Sequence, residues 1–142
     1  MKAIIVYSSR HHGNTEKVAR AMATELSADL KPLADAKPAD LDGFDLVGLG
    51  SAINRFDVHP EMTAFVRGLT DRSGQKAFIF STCASGKDFS TKLRDLMVEK
   101  NFQVVGEFHC TGLWTPGPFK VRDGHPDETD LENARAFARS LR

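Results

Sequence analysis

Cysteine and charge imbalance are what this chain has least of. Only Cys83 and Cys110 occur in its 142 residues, too few for a disulfide framework or a cysteine-built zinc site. Lysine plus arginine and aspartate plus glutamate both total 19, so no net field draws the chain to nucleic acid or to an anionic membrane. No apolar run approaches the roughly 18 residues of a membrane span. A basic-then-apolar secretory signal is missing from the N-terminus. Internal repeats and low-complexity linkers are absent as well. These gaps predict a reduced, cytoplasmic protein of one ordinary domain (1–142), long enough to bury a real core.

What the chain does have is a turn around which the rest is arranged, Tyr7-Ser8-Ser9-Arg10-His11-His12-Gly13-Asn14-Thr15. Ala3-Ile4-Ile5-Val6 before it reads as a fully buried strand. Val18, Met22 and Leu26 after it recur every four residues, one face of a helix. A hydroxyl- and amide-rich turn between a buried strand and a helix start is a natural anion site. Backbone N–H groups and the positive end of the helix dipole converge there. Ser8, Ser9, Asn14 and Thr15 add neutral donors, and Gly13 allows close approach of the backbone. The plainer alternative is that these residues only end the strand and cap the helix, a task that suits Asn and Thr. The composition of the turn favours the anion.

Further along, Asp29-Leu30-Lys31-Pro32-Leu33 predicts a short strand that Pro32 confines to an edge. Residues 35–42 are too short and polar for more than one helical turn. Phe44 to Ser51 reads as a third, buried strand whose closing glycines imply that something packs hard against its backbone. His59-Pro60-Glu61 starts a helix, with Pro at its first position. Met62, Phe65, Val66 and Leu69 turn that helix onto the sheet. Lys76 to Ser81 is a fourth strand, and Phe89, Leu93, Leu96 and Met97 mark the next helix. Phe102 to Cys110 is a fifth strand. Asp127 to Leu141 closes the chain as a helix, with a capping box expected at Thr129 and Glu132 and an apolar stripe at Leu131, Ala134, Ala138 and Leu141. Strands alternating with helices mean a parallel sheet covered on both faces.

Val6-Tyr7-Ser8-Ser9 followed by Gly13-Asn14-Thr15-Glu16 resembles the phosphate-binding loop of the flavodoxin family, and the resemblance extends over nearly the whole chain. It implies an α/β, flavodoxin-like three-layer sandwich with a five-stranded parallel sheet in the order 2-1-3-4-5. It also implies FMN as cofactor. The loop here is a residue longer, with His11-His12 where the family usually has a single Thr. The segment Cys110-Thr111-Gly112, with Gly117-Pro118-Phe119-Lys120 and Gly124-His125-Pro126, resembles short members of the family. Ligands in such sheets bind beyond the carboxyl ends of the strands, where strand order reverses. Here that is the gap between the first and third strands.

Three loops then supply the expected FMN contacts. Ser8, Ser9, Arg10, His11, His12, Gly13, Asn14 and Thr15 belong to the phosphate loop. From the loop after the third strand come Ser51, Ala52, Ile53, Asn54, Arg55 and Phe56. Asn54 stands where the family usually presents an aromatic ring. Phe56 either stacks in its place or packs down on the domain edge, and Arg55 is either a surface charge or a cation near the ring. Ser81, Thr82, Cys83, Ala84 and Ser85 follow the fourth strand, along the flavin's edge. Trp114 and Phe119 either cover the open side of the site or cap the core. Cys83 and Cys110 end neighbouring strands, and two inert thiols fit better than a redox pair.

The function that the resemblance implies is that of a low-potential electron carrier between a reductase and an acceptor, with the flavin doing the redox chemistry. A monomer is expected. An FMN-dependent NAD(P)H:quinone oxidoreductase is the alternative on the same scaffold, although 142 residues leave little room for a nicotinamide site. A flavin-free partner-binding module is a third. Other users of this architecture fit worse. Small tyrosine phosphatases need a Cys-x5-Arg loop that neither cysteine begins, and response regulators need paired acids where Tyr7-Ser8 stands.

Overall fold

Ala3–Ser8 (β1) is buried along its whole length, as a strand covered on both faces requires. It lies inside a parallel sheet in a computed structural model that describes residues 1–9, 13–54, 57–83, 90–112 and 124–142. Helix α1 (Asn14–Leu26) follows, then β2 (Asp29–Pro32), two single-turn 3-10 helices at Leu33–Asp35 and Pro38–Leu41, and β3 (Leu46–Asn54). The short β4 (Asp57–Val58) precedes α2 (Pro60–Arg67), β5 (Lys76–Cys83), α3 (Thr91–Glu99), β6 (Gln103–Thr111) and α4 (Glu128–Ser140).

The sheet runs β2-β1-β3-β5-β6, with every one of these pairs parallel. With the two-residue β4 set aside, this is the 2-1-3-4-5 order of a flavodoxin-like fold. The edge position of β2 leaves Pro32 without a ladder bond to donate on its outer side. Period-2 alternation sends Ile5, Tyr7, Phe78 and Phe80 to one face, where α1 and α4 cover them. Val6, Leu49 and Ile79 go to the other face, under α2 and α3.

Gly48 and Gly50 show what packs against the third strand. A Cβ on Gly48 would lie 2.3 Å from the Phe78 ring, and one on Gly50 would lie 2.0 Å from the Phe80 ring. The two phenylalanines of β5 therefore lie directly over bare backbone of β3.

Several element ends and one cap differ from the sequence reading. Helix α1 ends at Leu26, not Ala28, because Ser27 takes a left-handed conformation (φ 50°) and Ala28 N–H returns to Ala23 O at 2.9 Å. β3 continues past Ser51 to Asn54, since Ile53 and Asn54 pair antiparallel with Val58 and Asp57. β5 likewise runs on to Cys83 beside β6. The capping box of α4 is Asp127 with Asp130, each carboxylate accepting from the other residue's backbone N–H at 2.9 Å. Thr129 and Glu132 fall inside that helix and do not cap it.

Candidate functional site

The carboxyl ends of β1, β3 and β5 meet on one side of the sheet, and α1 begins beside them. Gly13 is the N-cap of α1, with φ 67° and ψ 26°, a conformation that suits glycine. Asn14 and Thr15 are the first residues inside the helix, so neither holds the capping position. A glycine N-cap brings no side chain to the first-turn N–H groups. Among the described residues no side chain caps the first turn, so its N–H groups are of the kind that can meet an anion. Ser9 adds a second sign: its Oγ is buried and has no hydrogen-bond partner among the described residues. A buried hydroxyl without a partner costs roughly 1–3 kcal/mol, which a ligand oxygen at the turn would recover.

Thr15 is fully buried, and its Oγ1 lies 3.0 Å from Thr82 Oγ1 at the end of β5. Two hydroxyls carry two protons and their mutual bond uses one, so the pair keeps one for a further acceptor. Asn14 packs on the far side, where a Cβ on Gly112 would come within 2.9 Å of its Nδ2. Gly112 N–H also donates to Cys83 O at 3.2 Å. Glycine is thus required just after β6 because the chain passes against the start of α1.

One carboxylate lies at the turn. Glu16, in the first turn of α1, accepts from Tyr7 Oη at 2.7 Å and approaches Arg20 at 3.5 Å. Burial and then the adjacent Glu16 raise the Tyr7 hydroxyl above its ordinary pKa, so it stays a donor to that carboxylate.

Beneath the loops runs a row of buried hydroxyls. Ser8, Ser51 and Ser81 stand in register on β1, β3 and β5, with His109 of β6 next in line. All three serines project to the α2/α3 face. Ser8 Oγ lies 2.7 Å from His59 Nδ1 and 3.3 Å from Glu61 Oε1. Ser51 Oγ accepts from His59 N–H at 2.9 Å and donates to Ala52 O at 2.7 Å. Ser81 Oγ lies 2.5 Å from His109 Nδ1, whose Nε2 is 3.3 Å from Glu107 Oε1. Glu107 is in turn ion-paired with Arg94 of α3.

The structure thus places Ser9 just past the end of β1, Gly13 and Asn14 at the head of α1, and Thr15 against Thr82 of β5. It turns the Ser8, Ser51 and Ser81 hydroxyls down to the α2/α3 side. Ala52, Ile53 and Asn54 form the extended end of β3, and Cys83 ends β5. Arg10, His11, His12, Arg55, Phe56, Ala84 and Ser85, expected as FMN contacts, and Trp114 and Phe119 lie outside the described residues. His59, Glu61, Glu107 and His109 carried no functional signal in the sequence. A histidine ahead of a helix proline reads only as a helix start until the strand serine facing it is known.

The cysteines can be placed more fully. β5 and β6 are neighbours, but Cys110 pairs with Thr82 and Cys83 with Thr111. One residue of offset puts the two thiols on opposite faces of the sheet, which rules out a bond between them without backbone movement. Burial, reinforced by Asp130 and Asp127, pushes the Cys110 thiol up to about 12. The geometry speaks against a redox pair of these two thiols.

At the head of α4, His125 Nδ1 lies 2.6 Å from Asp130 Oδ2. That carboxylate also accepts the Asp127 N–H, so the segment serves the helix cap. Among the described residues no helix is long and apolar enough to cross a membrane.

Known proteins share this arrangement to different degrees. A short-chain flavodoxin associated with a non-canonical PDU bacterial microcompartment superposes with a TM-score of 0.75 at 17% identity, covering 99% of this chain and 96% of that one. A flavodoxin from the domain Archaea does so with a TM-score of 0.72, also at 17% identity and with the same coverage. Identities that low speak for the fold alone. An uncharacterized protein of Methanocaldococcus jannaschii is 39% identical over 99% of this chain and 98% of its own length. Residues 4–117 match the family model of the flavodoxin domain. With a domain match over most of its length and a fold to agree with it, the chain belongs to the flavodoxin domain family.

Proposed function

We propose that this protein binds FMN at the carboxyl end of β1 and carries electrons between a reductase and an acceptor, as a single-domain monomer of the cytoplasm. The observation that carries the reading is the turn itself. A left-handed Gly13 heads α1, and the buried Ser9 hydroxyl just past β1 has no partner among the described residues. A phosphate monoester satisfies both the first-turn amides and that hydroxyl, in a place where the helix dipole favours negative charge. FMN has such a group and riboflavin does not. When bound, the flavin supplies the one- and two-electron chemistry.

The chain's own residues do the rest. Ser9, Gly13, Asn14 and the Thr15–Thr82 pair would hold the phosphate. The extended end of β3, Ala52 to Asn54, and the end of β5 at Cys83 would flank the ring. Arg10, His11, His12, Arg55, Phe56, Ala84 and Ser85, expected from the sequence, would extend this lining.

An absorption spectrum of the purified protein with added FMN tests the reading. Flavin bands shifted and resolved on binding, together with slow oxidation of NAD(P)H, support the carrier. Rapid reduction by NAD(P)H would replace it with the quinone-reductase reading. No spectral change at all would leave a flavin-free module.

A further inference from the structure

We propose that His59 is a positioning residue that fastens the two walls of the flavin cleft to each other. The inference rests on the flavin reading of that cleft. One wall is the turn leaving β1 after Ser8, and the other is the end of β3 from Ser51 to Asn54. His59 holds both through different atoms. Its ring Nδ1 lies 2.7 Å from Ser8 Oγ, while its backbone N–H donates to Ser51 Oγ at 2.9 Å. Glu61, two residues on, reaches Ser8 Oγ at 3.3 Å and lies 3.5 Å from His59 Nδ1.

The imidazole is 3% exposed and the serine hydroxyls are buried. Water therefore cannot easily stand in for a partner that is removed. His59 is also the N-cap residue of α2, and Pro60 behind it fixes the entry of the chain into that helix. The joint is thus rigid on the helix side as well. Ser8 and Ser51 are in-register partners across the β1–β3 ladder, so the clamp spans the gap where the sheet order reverses. A local slip of either strand end strains the same imidazole. In the flavin-free protein the two walls should therefore open together, and the clamp should lower the ordering cost of binding.

Two variants separate this role from helix capping. In His59→Asn the side chain keeps a polar atom where Nδ1 stood. In His59→Gln the polar atoms lie one carbon further out, and no atom replaces Nδ1. Amide hydrogen exchange of the flavin-free proteins is the first readout. His59→Gln should speed exchange at Ser9 and Gly13 and also at Ala52 and Ile53, by about tenfold for the loss of one buried hydrogen bond. His59→Asn should restore most of the protection. The second readout is flavin fluorescence titration, in which His59→Gln weakens FMN by about tenfold and His59→Asn by much less. In a cycle with Ser8→Ala the double variant should bind FMN no worse than the weaker single one.

Faster exchange confined to α2, or equal effects of Asn and Gln, would overturn the proposal. So would additive losses in the cycle. If the wild-type protein binds no flavin, the functional reading fails, and the exchange measurement still decides the clamp.

Discussion

Replacing Thr15 by Val removes one hydroxyl and keeps the shape of the side chain, at the point where α1 and β5 meet beside the proposed anion site. Two consequences follow, and they appear in different measurements. In the flavin-free protein, Thr82 Oγ1 loses its partner at 3.0 Å, and Thr82 is 2% exposed. A buried hydroxyl left unpaired costs about 1–3 kcal/mol, so urea denaturation should show a loss in that range. In the complex, Thr15, at the head of α1, has no hydroxyl left to donate to the proposed phosphate. A hydrogen bond to a charged group contributes roughly 1.5–3 kcal/mol, so FMN should bind about 10- to 150-fold more weakly. Riboflavin, without the phosphate, should bind almost as before. The companion Thr82→Val breaks the same mutual bond and leaves Thr15 free to donate, so it should cost stability with little loss of FMN affinity. Fluorescence titration with both flavins reads the difference. Equal losses for FMN and riboflavin in Thr15→Val would refute the reasoning, because the hydroxyl would then be structural only.

Other outcomes are expected from the same geometry. Gly50→Ala places a Cβ 2.0 Å from the Phe80 ring and should destabilise the fold by about 3 kcal/mol, seen as a lower Tm; adding Phe80→Leu should return part of it. Cys110 should resist thiol reagents at pH 8 in the folded protein and react once it is unfolded. Because its folded pKa is raised to about 12 from an ordinary value of 9.0, the unfolded chain releases this proton first. Its contribution to stability is present below pH 9 and lost as pH rises toward 12, which denaturation at pH 8, 10 and 11 can measure against Cys110→Ala. Glu16→Gln removes the carboxylate at the turn and should tighten FMN binding a few-fold at low salt. The gain should shrink at high salt; a gain that ignores salt would mean that the lost Tyr7 contact, not the charge, is responsible.

Much of this molecule follows from local patterns in the chain. Ala3 to Val6 could only be a doubly covered strand, since nothing polar interrupts it. Pro32 put its segment at an edge because proline has no N–H to donate. The spacing of Val18, Met22 and Leu26 set the buried face of α1, and the alternation of strands with helices forced a parallel sheet. The glycines of β3 pointed to close packing. The strand before the proposed phosphate turn and the helix after it were legible because strand, turn and helix are contiguous.

What stayed hidden depends on residues far apart in sequence. Ser8, His59 and Glu61 meet only when β1 and α2 pack together, and Thr15 finds Thr82 across 67 residues. The opposite facing of Cys83 and Cys110 rests on a single residue of register between β5 and β6. A bulge between Ala77 and Phe78 shifts that register, and no single-strand pattern reveals it. Asp127 rather than Thr129 caps α4 because the chain becomes helical at Glu128, which leaves Thr129 inside the first turn. Periodicity tells which face of an element is buried. Only the packed sheet decides which buried polar atoms on those faces come within 3 Å of one another.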